Sequence, residues 1–473
     1  MAGSATGSYE VAVVGGGLAG LITALRLAER GVRVVALEKG SGERYPCNAR
    51  ISGGGFHICF LHVEKKDETE LVEAIRQATQ GYARPELAAV VARDTRTAVQ
   101  WFKSRGVQFA QGGGDGWREN TLAPALVAVP GLQQERGGDV LIRVLGEQLQ
   151  KAGGTLLRGA RATSLRMDGT RCVGVEVEHE GKSVSVDVRA VVLCDGGFQS
   201  NNALLREFIC AQPEKLKQRN AKAGNGDALQ MARAVGAQLV GMDKFYGHVL
   251  AQEAMHDDAL WPYPMVDHLC SAGVVVDASG RRVMDEGPGG VYMVNQLAQL
   301  PDPLATIAVY DEAIWTGPPG RGHIVPANPC VVEGGAKIFK AQDLRSLAGQ
   351  LGLPAGALEA TIAEYNAAVA AGQTARLTPP RTTASAKAWP ITQPPFYAFR
   401  LCAGITFTMG GIAVDGAGRV LNGRDEPIAG LYAAGSCTGG LDGGPVAGYV
   451  GGLAKAAATG LRTADHLAAS LRN

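Results

Sequence analysis

The chain has 473 residues, 46 % apolar and 19 % charged, with 46 Lys and Arg against 45 Asp and Glu. Its size allows two or three connected domains with substantial cores, and a net charge of +1 excludes the basic field that nucleic acid or an anionic membrane surface attracts, which leaves a small molecule as the expected partner. No apolar run reaches the roughly 18 residues of a membrane span, and the first ten residues, MAGSATGSYE, lack the basic start and apolar core of a leader, so no integral membrane segment and a cytoplasmic location are expected.

In chain order, Glu10 to Val14 reads as a buried strand, Gly15-Gly16-Gly17-Leu18-Ala19-Gly20 as a turn, Leu21 to Arg30 as an amphipathic helix and Val32 to Leu37 as a second strand. This is a βαβ unit with a dinucleotide fingerprint. Gly15 permits the tight turn, Gly17 lets backbone approach a pyrophosphate, and Gly20 allows the helix to lie against the strand, with the helix N-terminus aimed at the anion. Glu38 ends the second strand about 20 residues on, where a carboxylate accepts ribose hydroxyls. "SGGGF" at 52–56 reads either as an anion nest or as a flexible surface loop. Val140 to Ala152 is a predicted helix, followed by short strands that turn at Asp168-Gly169 and Glu180-Gly181. A buried strand from Ala190 to Cys194 then runs into Asp195-Gly196-Gly197, and Asp227 falls near the start of a helix as a cap or first-turn acid. Residues 240–390 are richer in Pro, Trp and Tyr, with a helical section from Ala341 to Ala371, and read as a second domain inserted into the first. Glycine-rich sequence of the first type returns after 391. There, "GGPVAGYVGGLAKAAATG" suits either a tightly packed helix start or a helix whose positive end faces a bound ligand. Nine scattered cysteines without a C-x-x-C pair predict reduced thiols and no zinc site.

The series "VVGGGLAG", "NARISGGGF", "LCDGGFQSN", "GNGDALQMARAVGA", "GRRVMDEG", "GITFTMGGIAVD" and "LYAAGSCTGGL" resembles the flavoprotein superfamily of fumarate reductases, urocanate reductases, 3-ketosteroid Δ1-dehydrogenases and tricarballylate dehydrogenases. "MDEG" and "GITFTMGG" look closest to the tricarballylate-dehydrogenase-like branch. The resemblance covers nearly the whole chain and implies an α/β fold: a Rossmann-like FAD-binding domain of glutathione-reductase type at 1–239 and 391–473, with an α+β capping domain at 240–390. It implies that Gly15, Gly17, Gly20 and Glu38 hold the ADP half of FAD, that Asn48, Ser52, Gly53 and Gly54 line the pyrophosphate and flavin, and that Gly435 and Ser436 meet the ribityl chain. Lys39, Asp195, Gly196 and Asp227 complete the implied cofactor positions. Some relatives attach flavin covalently through a His in the loop that here reads Cys47-Asn48-Ala49-Arg50, so noncovalent FAD is expected.

The catalytic pattern departs from the reductases. After Glu286 no Arg occurs until Arg321, Phe407 stands where a carboxylate-binding His precedes "TMGG", and Tyr449 matches a carboxylate-binding Arg. These losses argue against a dicarboxylate clamp. Similarity to the ketosteroid dehydrogenases instead implies Tyr292 as proton-abstracting base and Tyr449 as donor to the substrate ketone. His248 matches a substrate-contacting His, Tyr246 reads as core or pocket wall, and Arg321 as a solvated loop charge or a mobile anion contact. The leading expectation is an FAD-dependent dehydrogenase that desaturates the α,β C–C bond of a cyclic ketone or related carbonyl compound, passing hydride to flavin N5 and electrons on to oxygen, a quinone or a redox protein. The alternatives are reduction of an activated C=C bond, oxidation of a polycarboxylate, and flavin binding without turnover.

Overall fold

The computed structural model describes residues 9–110, 116–124, 136–322, 326–383 and 385–472; most of the segment read above for a leader, residues 1–8, lies outside them. The main sheet places Thr155–Arg158, Val34–Glu38, Val11–Val14, Ala190–Leu193 and Pro427–Ala433 side by side and parallel, and continues into the antiparallel Arg171–His179 and Ala160–Asp168 strands. Val11–Val14, Val34–Glu38 and Ala190–Leu193 are buried along their whole length, which is why they are uniformly apolar and show no alternation. The fold is a mixed α/β arrangement built on this parallel sheet.

The first helix, Leu18–Glu29, starts three residues before its expected position. Gly15 carries φ +103 and donates its N–H to Leu37 O at 2.8 Å, and a Cβ there would lie 2.7 Å from Asp195 Cα, so the turn requires glycine. A Cβ on Gly20 would fall 1.9 Å from Gly15 O. Gly17, in contrast, has nothing within 4 Å of its missing Cβ, which leaves open space over the helix start. The C-terminal helix Gly452–Ser470 packs on Leu18–Glu29, where Thr23 Oγ1 donates to Ala19 O at 2.8 Å and reaches Gly460 O at 3.2 Å.

A second, six-stranded sheet has the 13-residue strand Phe396–Thr408 as its spine. Its first half pairs with Ile307–Asp311 and Phe339–Ala341, its second half with Phe245–Ala251 and Leu216–Gln218. The sheet therefore takes strands from 216–218 and 396–408 as well as from the 240–390 segment. The helical section expected from Ala341 to Ala371 is two helices, Leu344–Leu351 and Ala355–Ala370. Gly352 at φ +74 ends the first, and Pro354 forbids continuation by its missing N–H.

Candidate active site

A cavity of about 670 Å³ runs from the turn after Val14 to the inner face of the second sheet. At one end are Gly15, Gly17, Glu38, Lys39, Asp195, Gly196 and Asp227; along its length are Asn48, Ser52, Gly53, Gly54 and Ser436; at the far end are His57, Arg219, Tyr246, His248, Phe407 and Tyr449. Gly20 and Gly435 are not among the lining residues. Gly435, at φ +79, turns the chain so closely past the first helix that a Cβ would meet Ala19 Cβ at 2.7 Å.

The first end suits a dinucleotide. The helix Leu18–Glu29 has no side-chain cap and no acid in its first turn, so its leading N–H groups lack a side-chain acceptor among the described residues. Glu38 Oε2 accepts Gly16 N–H at 2.8 Å and Oε1 accepts Gly40 N–H at 2.7 Å; burial raises its pKa, and these two donors oppose the rise. Asp227 is the first residue of its helix, but Gly226 at φ +71 is the cap position, and the distant Asp195 Oδ2 accepts Ala228 N–H at 2.9 Å. Asp227 instead pairs with Lys39 at 3.0 Å and Arg161 at 2.8 Å. Burial pushes the Asp195 carboxyl up to about 7, and its buried Oδ1 has no hydrogen-bond partner among the described residues. An orphaned acceptor, an uncapped helix and the open space at Gly17 are the features a nucleotide with hydroxyls and an anionic centre would satisfy. Asn48, at the start of the short helix Asn48–Ile51, ties that helix to the second sheet, donating to Thr406 O at 2.9 Å and accepting from Ala221 N–H at 3.0 Å.

At the far end, Tyr449 lies three residues before the helix Gly452–Ser470, and its hydroxyl oxygen accepts Gly452 N–H at 3.2 Å. The hydroxyl proton is thereby left for another acceptor. Burial raises the Tyr449 pKa well above its ordinary value, so this group stays protonated and suits donation. The Tyr246 ring stacks on Tyr449 with centroids 4.0 Å apart. Tyr246 and His248 alternate along Phe245–Ala251 and so share a face, and a register shift at Tyr246/Gly247 brings Tyr246 Oη to 3.1 Å from His248 Nε2. A Cβ on Gly247 would sit 2.0 Å from Gly404 O, which explains glycine at the shift. His248 Nδ1 is 2.7 Å from Asp267 Oδ2, and Asp267 Oδ1 accepts Val249 N–H at 2.9 Å. Burial alone would raise the Asp267 carboxyl, but His248 and that N–H outweigh it and hold it below its usual range. Burial pushes the Tyr246 hydroxyl up to about 12, with nearby Arg219 pulling the other way.

The family model described as FAD binding domain matches residues 10–448. The chain belongs to that family. The FAD-binding chain is 27% identical to NADH:fumarate oxidoreductase of Klebsiella pneumoniae (strain 342), over 92% of its own length and 45% of that protein, so it spans less than half of this relative. It is 25% identical to 4-oxocyclohexanecarboxylate 2-dehydrogenase of Sinomonas cyclohexanicum, covering 93% of this chain and 89% of that one. Among solved structures, 3-ketosteroid-delta4-(5alpha)-dehydrogenase from Rhodococcus jostii RHA1 shares the fold, with TM-score 0.71 at 24% identity over 97% of this chain and 96% of that one.

In this FAD-binding chain the cavity brings Tyr449 and His248 together but not Tyr292. Tyr292 is half-buried on the helix Gly290–Ala298, outside the lining, so it is the cavity wall and not the tyrosine's acidity that separates it from Tyr246. Arg321 is exposed at the end of the short helix Pro318–Arg321 and does not line the cavity. Tyr246, read from sequence as core or wall, is the tyrosine that meets both Tyr449 and His248. Arg219 and Trp261 also line the cavity and carry no sequence signal; Arg219 simply precedes "NAKAGNGD".

Proposed function

We propose that this chain is an FAD-dependent oxidoreductase acting on CH–CH bonds, desaturating the bond beside a carbonyl group, with the cofactor held noncovalently. The observation that carries this reading is Tyr449: a part-buried phenol whose oxygen is held by a helix N-terminal N–H, stacked on a second cavity tyrosine. Bound FAD supplies the hydride acceptor. Tyr449 donates to the substrate carbonyl oxygen and stabilises the enolate that forms when the α-proton leaves. Tyr246 takes that proton as its own passes to His248 Nε2; Asp267 accepts from Nδ1, which leaves Nε2 as the basic nitrogen. Tyr246 thus replaces Tyr292 in the role of base. Run backwards, the same groups protonate the product of hydride addition to an activated C=C bond, a second reading favoured by the likeness to NADH:fumarate oxidoreductase.

The noncovalent link is supported by the absence of His from Cys47-Asn48-Ala49-Arg50. Nine free cysteines fit a reducing, cytoplasmic setting, and no described helix is long and apolar enough to cross a membrane. A division into FAD-binding residues 1–239 and 391–473 and a capping part at 240–390 belongs to the same proposal, with the second sheet borrowing edge strands from both flanks. The electron acceptor enters as oxygen, a quinone or a redox protein.

The test is anaerobic reduction of the enzyme-bound flavin by cyclic ketones. Tyr449→Phe should slow it about 10²- to 10³-fold, the range for loss of one preorganised donor. Tyr246→Phe should abolish exchange of the α-hydrogen with deuterated solvent, which needs the base and not hydride transfer. Near-native rates in both variants would defeat the mechanism, and no reduction by any ketone or enone oxidation of reduced enzyme would leave a flavin binder without turnover.

A further inference from the structure

Beyond the two tyrosines, the cavity wall holds a cation that makes no salt bridge among the described residues. Arg219 follows the strand Leu216–Gln218, and its N–H donates to Ile405 O at 2.9 Å, which carries the side chain to the far end of the cavity. Nη1 donates to Thr406 Oγ1 at 3.3 Å and Nη2 meets Met265 Sδ at 3.7 Å, while the buried Nε has no partner. The Trp261 ring centre lies 5.8 Å from the guanidinium carbon. No carboxylate pairs with this guanidinium among the described residues. A hydroxyl and a thioether are weak partners for a charged group with five N–H donors, and a part-buried guanidinium with its Nε out of reach of solvent is better satisfied when a ligand completes it. Burial lowers the Arg219 pKa, and the Asp267 charge, which makes no contact with the guanidinium, opposes that shift without reversing it. Arg136 also lines the cavity and donates Nη1 to Ile51 O at 3.2 Å; burial first and Arg219 second lower its pKa as well.

The cofactor's own anion belongs elsewhere. The uncapped helix start and the Gly15–Gly17 turn offer its natural seat, whereas Arg219 stands on the second-sheet side, among Thr406, Met265 and Trp261. We infer that Arg219 anchors a carboxylate carried by the substrate, whose remaining body is an apolar carbonyl compound reaching from Trp261 to the Tyr246–Tyr449 pair. This inference rests on the desaturase reading for the carbonyl end. It is compatible with the loss of the reductases' dicarboxylate clamp, because it calls for one carboxylate at a different wall.

The holoprotein is titrated anaerobically with 4-oxocyclohexanecarboxylate and with its methyl ester, following both perturbation and bleaching of the flavin spectrum. The acid should bind about 10- to 100-fold more tightly than the ester, the usual worth of a charge-assisted hydrogen bond. Arg219→Gln should remove that preference, and Arg219→Lys should restore part of it, since an ammonium keeps the charge but not the paired geometry. Equal affinity for acid and ester in the unaltered protein overturns the inference, as does a preference that survives in Arg219→Gln or a loss of FAD from that variant. The two readings fail separately: perturbation with acid preference but no bleaching counts only against desaturation, and bleaching without acid preference counts only against the anchor.

Discussion

His57 illustrates how a single residue at the cavity couples to solvent. It is buried, stacks on Phe60 at 4.7 Å and accepts Phe60 N–H on Nδ1 at 3.2 Å, and burial pushes its imidazole down to about 4. The unfolded chain, with an ordinary value near 6.5, binds a proton first as pH falls, so this residue contributes nothing above pH of about 6.5 and subtracts stability progressively between there and about 4. The full loss is of the order of 3 kcal/mol. His57→Gln should flatten that part of the stability curve, measured by denaturant unfolding of the holoprotein at pH 7 and pH 4.5; an equal acid loss in the variant would show that other groups carry it. Other residues show the difference between a motif and its role. Glu286 of "MDEG" is fully buried and pairs with Arg282 at 2.5 Å while accepting Val275 N–H at 3.0 Å, so it braces the second sheet and has no place in the cavity.

At the scale of elements, the proposed proton path depends on how two helices begin. Gly452 at the start of one helix positions Tyr449, and Gly290 at the start of another makes room for Asp267, since a Cβ on Gly290 would lie 2.2 Å from Asp267 Oδ1. Gly290→Ala should push Asp267 off His248 at a stability cost of about 1–3 kcal/mol, as overpacking does. The expected readout is slower α-hydrogen exchange with an altered pH profile and unchanged FAD content; wild-type exchange would separate Asp267 from the path. The strand Phe245–Ala251 matters in the same way, because its register shift at Gly247 decides where Tyr246 points.

For the whole molecule, the cavity joins both sheets, with Asn48 bridging to Thr406 and Ala221. FAD that fills it should stabilise the folded state by mass action and leave on denaturation, since no His is present at 47–50 to tether it. Acid precipitation of the yellow protein should therefore release the flavin to the supernatant, and flavin retained in the pellet would show a covalent link. The turn at the candidate nucleotide end was determined by the sequence alone, because a βαβ turn is local: Gly15, Gly17, Gly20 and Glu38 lie within one short segment, where Gly15 and Gly20 answer steric demands of the backbone and Gly17 leaves open space. The βαβ unit, both hairpins and the helix after Gly137 were legible for the same reason, apolar period and turn residues being properties of neighbouring positions. The candidate substrate end was decided only by tertiary structure. Tyr246, His248, Asp267, Arg219 and Tyr449 come from four separate stretches of chain that meet through the long Phe396–Thr408 strand and the start of the last helix. Counting from "MDEG" led to Tyr292, because sequence spacing does not reveal that its side chain leaves the cavity while a bulged strand turns Tyr246 into it.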